Sequence, residues 1–413
     1  MIVIIGAGLA GLACARELAK SGRPFLLLEA APSPGGRQRT THHDGFTLDH
    51  GFQVVLSSYQ SVSKLVDIHS LEPRWFESGA LLHHGGKLHH LTSPLSNPLN
   101  AVFSGSLTIG DKIRLATLGL RLLATSDTTL TAGCTSPSDT STAKFLKDTG
   151  FSTRFIDRFA RPFFGGVFLD NALETSAGLF LLYLKRFLTG AAWLPSGGIS
   201  ALPKAIAAKI PPRCIRYNTR VSSIAIDSGK ATGVHLSNDT FLPASKIVLA
   251  VDEPSACALL GRAAPAPGRS VSVVYFKTQT SLTKRPCLIL PDSPSPVVRH
   301  FVQLTNIVPS YAPLDWHLIS ATVLEPERFD QTILHESAAA EIYEIFPHAR
   351  GALSHIETIH VPYAVPAQPA GFAARIPFSN LPANVYTAGD WASGASIQAA
   401  LESGLHTARQ LLK

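Results

Sequence analysis

Residues 1–37 read MIVIIGAGLAGLACARELAKSGRPFLLLEAAPSPGGR, and the order of residue types in that stretch decides the fold. An apolar β-branched run, Ile2 to Ile5, stops at Gly6. Gly6, Gly8 and Gly11 then stand at G-x-G-x-x-G spacing and open an alanine- and leucine-rich helical stretch. A second apolar run, Phe25 to Leu28, ends at Glu29. Each part has a physical job in holding a dinucleotide. Gly6 permits the tight turn off the strand, Gly8 lets the backbone approach a pyrophosphate, and Gly11 lets helix and strand pack closely. The helix start at Leu9 and Ala10 offers free N–H groups and the positive end of a dipole to the phosphates. Glu29, roughly twenty residues beyond the glycines, is placed to accept hydrogen bonds from an adenosine ribose. Strand before, helix after and acid at the end of the next strand together set this motif apart from a plain glycine turn.

After Glu29 come Ala30 and then Gly35-Gly36-Arg37. With these residues the chain resembles the FAD-binding flavin amine oxidase and phytoene desaturase superfamily, whose members begin with the same glycine motif, a ribose-binding Glu and G-G-R. A nicotinamide dehydrogenase has no need of the second glycine pair and arginine. The resemblance implies that this element runs along pyrophosphate and flavin, with Arg37 as a fixed positive fork. The other end of the chain agrees: Val385 to Ala388 reads as a short strand, followed by Gly389-Asp390 and WASGASIQAALESGLHTARQLL. By the resemblance, Gly389 and Asp390 hold the ribityl chain, and Ser396, Ile397, Gln398 and Ala399 lie near the flavin N1–C2=O edge. A helix N-terminus there favours the negative charge of the reduced ring. Val221 is the implied adenine contact, Ala250 the return of the chain to the nucleotide, and Gly51, Phe52 and Gln53 the segment passing the flavin face. The Val221 and Ala250 runs also read as ordinary sheet core. No cysteine lies near the C-terminal loop, so FAD is expected to bind non-covalently.

At 413 residues with 45% hydrophobic content, the chain can bury large cores and is expected to form two domains. The cofactor motifs fall at the start, middle and end, so the expected class is α/β with a discontinuous Rossmann-type FAD-binding domain (1–60, 195–265 and 375–413). Residues 61–194 and 266–374 would build an α+β substrate domain, a mixed sheet covered by helices. The first insert is helical in pattern, with Lys112 to Leu123 repeating apolar residues at three and four spacing. Phe145 to Phe164 continues in that style, and Gly165-Gly166 is read as its break. The second insert alternates like strands in SVSVVYFKT, HFVQLTNIV and WHLISATVL. Thr135 to Ser141 reads as a polar loop. Five scattered cysteines without metal spacing suit reduced thiols in a cytoplasmic protein. With the nucleotide-binding strand starting at Ile2, no signal or transit segment is expected. AGLFLLYLKRFLTGAAWL, broken by Lys185 and Arg186, does not read as a membrane span. The net charge of +7 suits phosphate binding and leaves contact with an anionic membrane surface open, while no basic run with interleaved aromatics points to nucleic acid.

A flavin accepts hydride itself, so no catalytic side chain is assigned; the protein must position a C–H and exclude water. Phe155, Phe159, Phe163, Phe164, Phe168, Phe180, Tyr183, Phe187 and Trp193 favour an apolar cavity over a site for a charged substrate. Pro195, Gly197 and Gly198 resemble a family element beside the substrate tunnel. Amine oxidases of the superfamily carry an aromatic cage wall in the C-terminal loop, where this chain aligns Ser396, which puts amine oxidation in doubt. His83-His84 and His89-His90 are read as a solvated turn around Gly85-Gly86 without a carboxylate or Cys to complete a metal site. Lys277, an outside candidate for the lysine that holds a water near the flavin in amine oxidases, is read in preference as a strand-end surface lysine. The expected activity is dehydrogenation of a hydrophobic substrate, isoprenoids among the candidates, with oxygen or quinone as acceptor. A flavin amine oxidase and a redox-neutral flavin isomerase stay open as alternatives; the intact motifs argue against a cofactor-free escort protein.

Overall fold

The computed structural model describes residues 1–91, 107–134, 136, 138–263, 268–292, 296–372, 380–392 and 394–413. Its centre is a five-stranded parallel sheet in the order Ile215–Arg216, Phe25–Leu28, Ile2–Ile5, Lys246–Leu249, Val385–Thr387. Ile2 pairs with Phe25 on one side and Lys246 on the other. All four residues of Ile2–Ile5 are buried, as expected of a parallel strand covered on both faces. On one face lie the helices Leu9–Lys20 and Ile397–Leu412, the first and last of the chain. They cross so closely that a Cβ on Gly404 would stand 2.0 Å from the Ala10 carbonyl. The other face is covered by an antiparallel sheet of Val221–Asp227, Lys230–Leu236 and Phe241–Pro243, packed through Ile224, Ala231 and Val234 onto Val3, Leu26 and Ile247. The central sheet therefore draws its strands from the beginning, middle and end of the sequence.

A seven-stranded mixed sheet runs Ser354–Val365, Arg269–Thr278, His317–Leu324, His300–Gln303, Leu288–Leu290, Ala80–His84, Lys87–Leu91. Its Val274, Phe276, Phe301, Ile319 and Val323 face the helix Leu334–Ile345, while Val273, Tyr275, Leu318 and Val302 face Phe46, Leu48 and Tyr311. The strands expected at 270–278 and 316–324 form. The one expected across 300–308 ends at Gln303, where Leu304–Asn306 turns into a 3-10 helix. Ser354–Val365, the longest strand, gave no signal. It is an edge strand of mostly intermediate burial with Pro362 inside it, so neither face carries a clean apolar alternation.

The helical insert corrects one expectation. Residues 145–164 do not form one helix ended by Gly165-Gly166. Thr142–Asp148 stops first, and after Gly150 the chain restarts as Thr153–Phe155, a π turn over Ile156–Ala160, and Arg161–Phe168. Pro162 has no N–H to give the preceding turn, which suits the wider π geometry just before it. Gly165 and Gly166 lie inside that last helix, where space is the reason for them: a Cβ on Gly166 would come 2.6 Å from Nδ1 of His300. In the expected 135–141 loop, Thr135 and Pro137 lie outside the described residues, and Ser141 caps Lys144 N–H at 3.2 Å. Among the described residues no helix is long and apolar enough to cross a membrane. Lys185 and Arg186, which interrupt the most apolar stretch, each sit 2.7 Å from Asp127.

Candidate cofactor and substrate cavity

A single cavity of about 1630 Å³ runs from the glycine turn of the parallel sheet to the helical insert. One small-molecule site fills roughly 300–1,000 Å³, so this volume accommodates a cofactor and a substrate together. At its inner end the glycines take the roles their spacing implies. Gly6 leaves the strand at φ +101°, and a Cβ on Gly11 would lie 1.9 Å from the Gly6 carbonyl. Gly8 borders the cavity, and a Cβ there would meet nothing within 4 Å. The helix Leu9–Lys20 has no side-chain cap, so its first N–H groups are left for a ligand. Gly36, at φ +60°, brings the second glycine pair against the first: its Cβ would stand 3.2 Å from the Gly8 Cα. Glu29 is held by Ala7 N–H at 2.6 Å and Ala31 N–H at 2.8 Å, with its carboxylate on the cavity wall. Gln38 lines the same region, is 3% exposed, and neither its amide oxygen nor its nitrogen has a partner. An open anion-binding helix start, a fixed acid and an orphaned buried amide fit a flavin dinucleotide.

Arg37 ties this end of the chain to the other. Its Nη2 donates to Oδ1 of Asp390 at 2.6 Å and its Nη1 to the Ala364 carbonyl at 2.9 Å. Burial works against the guanidinium charge, but Asp390 outweighs it and raises the pKa. Gln53 Nε2 bridges the Arg37 and His50 carbonyls, 3.0 Å from each. Phe52 meets the ring of His300 edge-on at 5.2 Å. Of the residues singled out from the sequence, Gly6, Gly8, Leu9, Ala10, Glu29, Ala30, Gly35, Gly36, Arg37, Gly51, Phe52, Gln53, Val221, Ala250, Gly389, Asp390, Ser396 and Ile397 line the cavity. Gly11, Gln398 and Ala399 do not. Gln398 instead accepts from Ser61 N–H at 3.0 Å and donates to Glu402 at 2.6 Å, because the first helical turn presents Ile397 and Ala400 to the cavity. Ser396 caps this helix through Ala399 N–H at 3.1 Å.

The middle of the chain supplies what motif reading missed. Gln368, 4% exposed, accepts from Ala395 N–H at 2.7 Å and so fixes the loop after Asp390. Tyr183 reaches Ser396 with its hydroxyl, so an aromatic ring does stand beside that loop, contributed by the helix Ala177–Thr189. Burial pushes the Tyr183 and Tyr59 hydroxyls far above their ordinary range, and both rings line the cavity. Beyond them the wall is apolar: Phe159, Phe163, Phe164, Phe187, Leu115 and Leu184. Phe155, Phe168, Phe180 and Trp193 are core residues away from it. Pro195, Gly197 and Gly198 are also absent from the wall; Pro195 accepts from the Tyr311 hydroxyl at 3.1 Å, and Gly198 packs on Thr40.

One further expectation needs correction. The histidine hairpin is not a bare solvated turn, since all four rings are half-buried. His84 pairs with Asp292 at 2.5 Å, and His90 lies with Glu77 and Cys287, donor atoms within 4.8 Å of one another. Folding thus supplies the carboxylate and the thiol that local spacing lacked. The guanidinium of Arg285, 2.6 Å from Glu77 and 3.1 Å from His90 Nδ1, already neutralises the acid, so the cluster acts as an ion-paired anchor for the wall at Glu77–Ala80. Lys277, in keeping with the strand-end reading, stacks over Trp316 at 5.5 Å, away from the cavity.

The glycine-lined cradle is closed by the C-terminal helix and runs on into an apolar chamber, so one enclosure has room for a dinucleotide and a second, apolar molecule. The chain belongs to the flavin containing amine oxidoreductase family, whose model matches residues 9–412. It is similar to the hydroxyneurosporene desaturase of Cereibacter sphaeroides, 27% identical over 280 residues that cover 60% of this chain and 55% of that protein. It is also similar to the phytoene dehydrogenase of Streptomyces griseus, 27% identical over 321 residues covering 68% and 61%. The matched stretches thus span little more than half of those relatives. A solved putrescine oxidase with putrescine bound shares the fold at TM-score 0.74 and 18% identity, over 100% of this chain and 98% of that one.

Proposed function

We propose that this protein dehydrogenates a long apolar substrate, an isoprenoid polyene, against non-covalently bound FAD. The observation that carries the reading is the continuity of the cavity from the Gly8 turn into the phenylalanine-lined chamber. FAD held there would supply a hydride-accepting ring, with oxygen or quinone as the final acceptor. The chain's own residues do the rest. Gly8, Gly36 and the uncapped helix start receive the diphosphate, Glu29 the ribose, and Asp390 with Arg37 the polyol linker. Phe163, Phe164 and Phe187 align the substrate chain and exclude water. No protein acid or base is assigned to the transfer. None of the five cysteines lines the cavity, which supports a cofactor held without a covalent bond. The names of the two desaturase-type relatives support a polyene substrate. We keep 1–60, 195–265 and 375–413 as the cofactor domain and the remainder as the substrate domain.

The outer end of the cavity supports contact with a membrane surface. The helix Ile109–Ala124 buries Leu118 and Leu122, yet leaves Ile109, Ile113, Leu120 and Leu123 exposed by 77, 59, 67 and 41%. Those four residues form one stripe at helical spacing, with Arg114 and Arg121 together on one side, between the stripe and the buried face. Ala116 lies in the stripe and borders the cavity, so the chamber opens beside it. A helix apolar on two faces and basic along one side suits an anionic lipid interface, from which a greasy substrate enters without crossing water.

The second reading, an amine oxidase, is favoured by Tyr59 and Tyr183, which line the wall beside Ser396. Anaerobic mixing of the FAD-loaded protein with polyenes and with simple amines separates the two. Loss of flavin absorbance with polyenes alone is the expected result; loss with amines alone overturns the proposal.

A further inference from the structure

The cavity wall carries a polar pair in apolar surroundings. His300 and Thr322 face each other across antiparallel strands, so their side chains project from the same face of the seven-stranded sheet. Both border the cavity, and their relative exposures are 5% and 1%. Nε2 of His300 and Oγ1 of Thr322 are buried and have no hydrogen-bond partner. Phe52, whose ring lies 5.2 Å from that of His300, and Val273, opposite Thr322 on the next strand, offer none. A buried polar atom without a partner is costly to a fold, and the cost is removed when a ligand supplies the missing bond. The fold also makes room for this ring at the expense of a helix. Gly166 sits within Arg161–Phe168, where any Cβ would collide with Nδ1 of His300. Burial drives the His300 pKa down to about 3, so the imidazole is neutral in ordinary buffers and able both to donate and to accept.

We infer that His300 and Thr322 hold an oxygen function of the substrate, a hydroxyl or a carbonyl, so that the preferred substrate is an oxygenated polyene and not a plain hydrocarbon. A hydroxyl matches the pair whichever ring tautomer is present, because it donates and accepts as His300 and Thr322 do. A hydrocarbon filling the same chamber leaves both atoms unpaired, which is how a site built for a hydrogen bond discriminates against an analogue that lacks one. This inference rests on the apolar-substrate reading of the cavity.

The test compares an acyclic polyene hydrocarbon with the alcohol of the same carbon skeleton, each titrated from detergent micelles into the FAD-loaded protein. The readout is perturbation of the flavin visible spectrum, which needs no turnover. Wild type is expected to bind the alcohol about tenfold more tightly, a difference the size of one buried hydrogen bond. Thr322→Val, which keeps the volume, and His300→Phe are each expected to reduce that preference while hydrocarbon affinity stays within about twofold. His300→Gln, which keeps an amide donor and acceptor, is expected to retain part of it. Equal affinity for the two polyenes in wild type, or an undiminished preference in Thr322→Val, overturns the inference and leaves the polyene reading standing. If neither polyene perturbs the flavin, both fall together. Should His300→Phe fail to load FAD, Thr322→Val alone decides.

Discussion

Arg37 and Asp390 lie 353 positions apart in sequence and 2.6 Å apart in space. Asp390 is buried, so removing its charge leaves a guanidinium on the cavity wall without its counter-ion. Asp390→Asn is expected to destabilise the FAD-free protein by about 1–2 kcal/mol, at the low end for such pairs because the Arg37 side chain is one-third exposed. It should also release FAD more readily. Thermal midpoints and flavin retention after gel filtration check both, and an unchanged variant removes Arg37–Asp390 as the link between the termini.

The glycines of the first turn should respond differently to the same small change. Gly11→Ala drives a Cβ into the Gly6 carbonyl and is expected to yield little soluble protein. Gly8→Ala places its Cβ in open cavity and should fold with an unchanged FAD-free midpoint, yet come off the column colourless. A yellow Gly8→Ala would mean that the diphosphate does not approach that backbone.

For the surface helix, Ile113→Asp with Leu120→Asp removes the middle of the exposed stripe without touching Leu118 or Leu122. Burying each such side chain in lipid is worth about 1.5–3 kcal/mol, so binding to anionic vesicles should fall by about two orders of magnitude or more. The flavin spectrum should not change. Undiminished vesicle co-flotation would send the membrane contact elsewhere.

His300 makes stability depend on pH. Its folded pKa, about 3, lies below the ordinary value of 6.5, so between them the unfolded chain takes up a proton that the native ring refuses. Stability therefore falls as pH drops below about 6.5, and this group adds no dependence above it. One proton corresponds to at most about 1.4 kcal/mol per pH unit. His300→Phe should flatten the acid limb of a midpoint-against-pH plot between about pH 4 and 6.5, while Thr322→Val should not. Parallel acid limbs in wild type and His300→Phe would mean that the ring is charged in the fold.

The cofactor end was legible because its chemistry is written locally. Backbone close approaches at Gly6, Gly11 and Gly36 can be met only by glycine, and Glu29 stands at a strand end that the apolar run announces. The chamber was legible only as composition. Which phenylalanines face inward depends on the π turn at Ile156–Ala160 and on the space His300 takes beside Gly166, and neither has a periodic signature. Gln398 shows a related limit, since motif alignment fixes a position along a helix but not which side chains of its first turn face the cavity. Gln38, Gln368 and the meeting of His90 with Cys287 follow from contacts between distant segments, and no window along the chain contains them.

The strand order of the parallel sheet also sets a timetable. During synthesis, at roughly 5–20 residues per second, Ile2–Ile5 can pair early with Phe25–Leu28, but its other neighbour, Lys246–Leu249, emerges much later. Val385–Thr387 and the helix that crosses Ala10 at Gly404 come last of all. The cradle is thus completed only once the helix Ile397–Leu412 has emerged, and FAD has no finished pocket to enter before then. A nascent chain with a greasy sheet edge waiting that long is a natural client for chaperones, and flavin supplied in the growth medium should improve recovery by trapping finished molecules, not by guiding unfinished ones.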